Sequence, residues 1–156
     1  MRIHLIAIGR RVPDWVQAGY DEYARRMPAE CRLELHALSS PSRGKSTSAG
    51  VRKTREADLL LEAVPPKARI IALDERGSSW STTKLATQLS GWLDGGTDVA
   101  LLVGGPDGLD QRCRDAAQSL WSLSALTLPH AMVRVLVAEQ LYRANAINHG
   151  HPYHRE

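Results

Sequence analysis

The sequence predicts an α/β fold, a mostly parallel sheet flanked by helices in a single domain. Apolar, β-branched runs alternate along the chain with segments of helical period, the pattern of repeated strand–helix units. Several of the strand segments, R-I-H-L-I-A-I and V-A-L-L-V among them, lack a polar face, as strands buried by helices do. Two apolar runs between Val99 and His130 end in turns, one rich in glycine and one closed by proline, where open α/β sheets bind ligands.

Arg2–Gly9 reads as a buried strand stopped by Gly9. Pro13 suits the first turn of a helix, because its missing N–H has no partner there. Val16, Tyr20, Tyr23 and Met27 fall on one face of that helix, and Pro28 ends it. In Arg32–Leu38, Leu33, Leu35 and Ala37 alternate with Arg32, Glu34 and His36, which predicts a strand near a sheet edge. A low-complexity loop follows, then a basic helix from about Val51 to Val64, cut off by Pro65-Pro66. Ala68–Asp74 is a third strand, left through E-R-G-S-S-W-S. Ser81 is positioned to cap a helix with Leu85, Leu89, Trp92 and Leu93 on one stripe, terminated by Gly95-Gly96. Asp98–Gly104 is the fourth strand, Leu109–Gln118 a short helix, and Ser119–Leu128 holds the fifth strand. A last helix spans about Ala131 to Ile147. It is apolar nearly all round from Ala131 to Ala138, which calls for burial on two sides. A second copy of the chain supplies the other side in one reading; the sheet and a neighbouring helix supply both in the other.

At 156 residues the chain can bury a substantial core as one domain. A net charge of +3 and a pI near 9.1 permit a nucleic-acid partner without demanding one. Cys31 and Cys113 belong to no C-x-x-C pair and read as reduced structural thiols of a cytoplasmic protein. The N-terminal segment does not have the composition of a signal peptide, and no run is long enough to span a membrane.

S-R-G-K-S-T resembles half of a P-loop, but the first glycine of that pattern is replaced by Ser39. Arg43, Lys45, Arg52, Lys53 and Arg55 are left as a solvated face or as contacts to a polyanion. G-G-P-D-G departs from the dinucleotide fingerprint, and Pro106 removes an N–H where a phosphate wants a donor. It is either a plain turn or, with L-S-A-L-T-L-P-H, part of an apolar slot walled by Leu123, Ala125, Leu126 and Leu128. The backbone of such a slot suits an adenine ring better than a phosphate. His149, His151 and His154 cluster in the tail, but no Cys or carboxylate stands at ligand spacing, so no metal site is expected. The tail is otherwise a disordered end, or a site element with His as base and Arg as anion clamp. Trp80 either stacks on a base or packs. His4, His36 and Asp107 stand singly, and there is no G-x-S-x-G or H-E-x-x-H motif.

Taken together, I-G-R-R-V-P-D-W-V, I-A-L-D-E-R-G, L-L-V-G-G-P-D-G-L, S-L-S-A-L-T-L-P-H, V-R-V-L-V-A-E-Q-L-Y-R-A and H-P-Y-H-R-E closely resemble the ribosomal RNA large subunit methyltransferase H family, over essentially the whole chain. That family belongs to the SPOUT methyltransferases. The resemblance implies one domain over residues 1–156, with a C-terminal trefoil knot in a cofactor-binding region of about 99–156. It implies S-adenosylmethionine as cofactor, N3 of a pseudouridine in 23S ribosomal RNA as methyl acceptor, an assembled ribosome as partner, and an obligate homodimer. Carried over by motif, Leu73, Gly104, Leu123, Ser124, Ala125, Leu126, Thr127 and Leu128 are expected to contact the cofactor. Tyr153, His154 and Arg155 are expected at the catalytic site. The alternatives are a non-catalytic RNA-binding or ribosome-assembly module, and a SPOUT enzyme acting on transfer RNA.

Overall fold

The computed structural model describes residues 1–41 and 47–155. Arg43, Gly44 and Lys45 of the P-loop-like stretch lie outside the described residues. Five parallel strands form one sheet in the order β2-β1-β4-β3-β5. They are β1 (Arg2–Ile8), β2 (Arg32–Leu38), β3 (Arg69–Ser79), β4 (Val99–Val103) and β5 (Ser119–Ser122). The helices are α1 (Asp14–Ala24), α2 (Ala49–Glu62), α3 (Thr82–Gly95), α4 (Gln111–Ala116) and α5 (His130–Asn148).

Successive strand residues point to opposite faces, so a strand covered on both sides must be apolar throughout. Central β4 obeys this at every position, from Val99 to Val103. Ile3, Leu5, Leu101 and Ile71 pack on one face with Leu85, Leu89 and Trp92 of α3 and Val137 and Leu141 of α5. Ile6, Ile8 and Leu102 pack on the other face with Ala57 and Leu60 of α2 and Cys113 of α4. β2 is an edge strand, as its alternation predicts, and residues 34–38 are only half-buried.

Helix starts follow from local chemistry. Ser48 Oγ accepts from Val51 N at 3.2 Å and Ser81 Oγ from Lys84 N at 3.1 Å, each satisfying an orphan amide of its helix. Gly96 closes α3 in the left-handed region at φ 63°, where a side chain would be strained. α1 ends at Ala24, so Met27 reaches the core from the turn beyond the helix rather than from its last turn.

Two strand boundaries differ from the sequence expectation. β3 does not stop at Asp74 but continues to Ser79 through a register shift between Leu73 and Ser78. Gly77 permits this: a Cβ there would fall 2.5 Å from the Leu120 carbonyl carbon. β5 stops at Ser122 rather than at Leu128, and residues 123–129 are irregular. Alternation of Leu with Ser and Thr imitates a strand, but in this segment no neighbouring strand pairs with it among the described residues.

α5 is also more ordinary than its composition suggests. Arg134, Val137, Ala138, Leu141 and Ala144 form one fully buried stripe, while Ala131, Met132, Val133, Val135 and Leu136 are half-buried. Buried Arg134 ties this helix to the end of β1, donating from Nη2 to the carbonyls of Ile8 (3.2 Å) and Gly9.

Cys31 and Cys113 lie in different core clusters on opposite faces of the sheet, so they do not pair. Burial, helped by Glu30 for one and Asp110 for the other, pushes both thiols up to about 11. Protonated and enclosed thiols are poor nucleophiles. Neither cysteine should react with a thiol-specific chromogenic disulfide at pH 8 in the native protein, and both should react in denaturant.

Candidate active site

At the carboxyl ends of β3, β4 and β5 a cleft of about 980 Å³ opens. It is walled by the turn after β4, by the last part of β3, and by the irregular segment after β5. All eight residues expected to contact a cofactor line it: Leu73, Gly104 and the run Leu123, Ser124, Ala125, Leu126, Thr127 and Leu128. The α/β rule places ligands at such strand ends.

Backbone proximity shapes the cleft. Gly104 runs against the backbone of Gly108, and a Cβ would lie 2.8 Å from the Gly108 carbonyl carbon and oxygen. Gly108 itself has φ +83° and donates its N–H to the Gly105 carbonyl at 3.0 Å, closing the turn. Opposite, Ser124 Oγ accepts from Leu126 N at 2.9 Å, which turns the chain and leaves Leu126 76% exposed. An exposed leucine beside main-chain donors and acceptors is suited to a flat, partly apolar ligand with a polar edge.

Charged groups brace this frame, and no sequence motif marks them. Arg114 Nη1 lies 3.2 Å from Asp74 Oδ2 and donates to the Leu109 carbonyl at 2.6 Å, with both side chains nearly buried. Asp74 Oδ1 accepts from Arg76 N at 2.9 Å. Arg52 donates from Nε to Asp107 Oδ2 at 2.8 Å, so it clamps the glycine turn to α2. Arg52 is thus engaged within the chain rather than left on a fully solvated face, and Lys53 lines the cleft. Only the D-G following the glycines hinted at Asp107; nothing local in the sequence marks Arg114 or Asp74, since their partners are 40 positions apart. Trp80 packs, stacked on Trp121 with ring centroids 5.0 Å apart, and is not a free platform for a base.

The tail lies elsewhere on the same chain. α5 has 19 residues, about 28 Å of helix, and its first residue, His130, lines the cleft. The chain turns back at Gly150, φ +65°, and the Tyr153 hydroxyl donates to Glu139 Oε1 at 3.1 Å. The Tyr153 ring meets Tyr142 edge-on at 4.8 Å, with the Arg143 guanidinium 4.8 Å from its centroid. Burial, then Tyr23 and Glu139, holds the Tyr153 phenol above its usual range, so it remains a donor. Both ring nitrogens of His154 are enclosed and make no hydrogen bond among the described residues, and Arg155 is exposed. None of Tyr153, His154 and Arg155 lines the cleft of its own chain.

Comparison with known proteins bears on this arrangement. A family model described as "Predicted SPOUT methyltransferase" matches residues 1–154. Ribosomal RNA large subunit methyltransferase H of Thioalkalivibrio sulfidiphilus is 52% identical over 156 residues, all of both chains. The protein of the same name from Nitrosococcus oceani is 51% identical over 155 residues, 99% of each. Among solved structures, the SpoU methyltransferase AviRb from Streptomyces viridochromogenes, in complex with the cofactor AdoMet, is similar with a TM-score of 0.47 at 14% identity. That match covers 91% of this chain and 57% of the other.

Proposed function

This chain belongs to the SPOUT methyltransferases, and within them to the ribosomal RNA large subunit methyltransferase H family; from that premise we propose that it methylates N3 of a pseudouridine in 23S ribosomal RNA, on the assembled ribosome, using S-adenosylmethionine. The observation that carries the reading is the convergence of Leu73, Gly104 and residues 123–128 on one cleft. Family membership also implies a trefoil-knotted path through about 99–156 and action in the cytoplasm. No helix among the described residues is long and apolar enough to cross a membrane.

The cleft fits the cofactor on its own chemistry. Leu73, Leu123, Leu126 and Leu128 offer apolar walls to an adenine ring, and the bare backbone at Gly104 admits close approach. When bound, S-adenosylmethionine supplies a sulfonium-activated methyl group. The chain's contribution is to hold the reacting groups in line and out of water, which needs no nucleophilic side chain. Asp74 and Arg114 keep the β3 and β4 walls fixed to each other through the Leu109 carbonyl.

The acceptor nitrogen must lose its proton before it can attack, which leaves negative charge on the pyrimidine ring. The Arg155 guanidinium offsets that charge, so solvent can take the proton; the ring of His154, next to it in the chain, is enclosed in the single chain and serves as base only where the second copy uncovers it. These groups belong to the tail, remote from the cleft on the same chain, so we assign the tail to the cleft of a second copy in a homodimer. Two surface features support this assembly. Half-buried Met132, Val133, Val135 and Leu136 remain on α5, and Trp15 at the start of α1 is 57% exposed.

The test supplies S-adenosylmethionine carrying a labelled methyl group, the purified chain, and ribosomes from a strain lacking the enzyme. Mass spectrometry should recover the label as N3-methylpseudouridine in 23S ribosomal RNA. Label confined to transfer RNA would replace the substrate assignment. Absence of both label and calorimetric cofactor binding would leave a non-catalytic RNA-binding module.

A further inference from the structure

Away from the cleft, the parallel pairing of β1 and β2 brings together two histidines that are 32 positions apart. His4 is in register with Glu34, and His36, two residues further along β2, projects from the same face. His4 Nδ1 lies 3.0 Å from His36 Nε2 and 3.8 Å from Glu34 Oε2. One ligand atom from each of the three residues falls within 4.8 Å of the others. Two donors on a tetrahedral zinc ion, each at about 2.0–2.1 Å, are about 3.3 Å apart, so the spacing of these nitrogens is close to that of a shared ion.

From these juxtaposed side chains we propose that His4, His36 and Glu34 bind one divalent transition-metal ion of the zinc class. The tautomer of His4 is already set for it. Its Nε2 lies 3.3 Å from Asp98 Oδ2, an acceptor only, so Nε2 carries the proton and Nδ1 accepts the hydrogen bond from His36 Nε2; an ion replaces that bond once His36 shifts its proton to Nδ1. A carboxylate behind a ligating imidazole is the usual way its orientation and basicity are fixed. Asp98 is itself held by the Arg2 backbone N–H, which donates to Oδ1 at 2.8 Å. That bond, and then His4, keeps the Asp98 carboxyl below its usual range.

The remaining charged group facing the cluster is Arg2, whose Nε is 3.8 Å from Glu34 Oε1 and whose side chain is 64% exposed, free to swing outward. Among the described residues the Glu34 carboxylate makes no hydrogen bond, so only its long ion pair with exposed Arg2 gives way when it accepts an ion. His4 is buried, whereas Glu34 and His36 are half-buried on an edge strand, which leaves an entry path. Two nitrogens and one oxygen suit zinc better than magnesium or calcium, which take oxygen donors. His4 pairs with Ala100 near the start of β4, whereas the cleft begins at Val103. With water as its fourth ligand, the ion therefore clamps β1 to β2 at the far end of the sheet, away from methyl transfer.

Titration of the tag-free, chelator-stripped full chain with zinc chloride tests this, read by calorimetry and repeated with cobalt for its visible absorption. The wild type should take up one ion per chain, show a tetrahedral cobalt band, and gain about 3 °C or more in Tm at saturating zinc. His36→Gln and Glu34→Gln should each weaken binding at least ~10-fold, and Asp98→Asn by about 10- to 100-fold, with unchanged far-ultraviolet circular dichroism. His151→Ala, in the tail, should bind as the wild type does. The proposal is overturned by no uptake in the wild type, by uptake that survives both His36→Gln and Glu34→Gln, or by uptake lost in His151→Ala instead.

Discussion

Arg155→Ala is expected to lower turnover by about 10²-fold or more while leaving the affinity for S-adenosylmethionine within about twofold. Arg155 is exposed and lies outside the cleft of its own chain; at the cleft of a second copy we assign it to the acceptor base and not to the walls that hold the cofactor. Its charge matters only when negative charge develops on the pyrimidine ring, and an interaction made chiefly in the transition state lowers kcat without changing binding. Single-turnover methylation of ribosomes, paired with cofactor calorimetry, separates the two quantities. Equal losses in turnover and cofactor affinity would remove Arg155 from the acceptor side of the reaction.

Gly104→Ala should have the opposite signature. The added methyl group would meet the Gly108 carbonyl at 2.8 Å and Leu109 N at 3.0 Å, both backbone atoms with no side chain to move aside. The turn that walls the cleft must shift, which costs about 1–3 kcal/mol of stability as an overpacked contact does. Cofactor affinity should fall at least ~10-fold, because the displaced turn walls the cleft in which we propose the cofactor binds. Chemical denaturation and cofactor calorimetry measure both effects. An alanine variant that binds as tightly as the wild type would show that this turn is not a cofactor wall.

The sequence exposed the fold where physical pattern is local. Continuous apolar runs marked β1 and β4, serine caps marked α2 and α3, and the alternation of Arg32–Leu38 marked the edge strand. It misled where alternation had no pairing partner: Leu123–Leu128 looks like a strand yet forms the cleft wall. Beyond Asp74, β3 was hidden because Gly77 suggests a turn, and only the approach of Leu120 explains why a glycine-bearing strand persists.

Long-range pairs were illegible for a different reason. Arg114 with Asp74, Arg52 with Asp107, and His4 with His36 join residues 32 to 55 positions apart, and no local periodicity links them. Residues 123–128 were legible as the wall of a slot because they are contiguous, and their assignment to the cofactor came from family resemblance. The tail was recognisable only through family resemblance, and its distance from the cleft on one chain emerged from the packing of Tyr153 on Glu139.

That distance requires two chains to divide the labour at each site, and mixed dimers show whether they do. Arg155→Ala and Gly104→Ala chains are unfolded together, refolded and assayed on ribosomes at a cofactor concentration that loads the wild-type cleft but little of the Gly104→Ala cleft, where each variant alone has little activity. If the tail of one copy serves the cleft of the other, half of the dimers are mixed and each holds one intact site. Activity should then return to about one quarter of wild type. If each tail serves its own cleft, every site in the mixture carries a defect. Activity no higher than that of the separate variants, in mixtures shown to contain mixed dimers, would contradict the account.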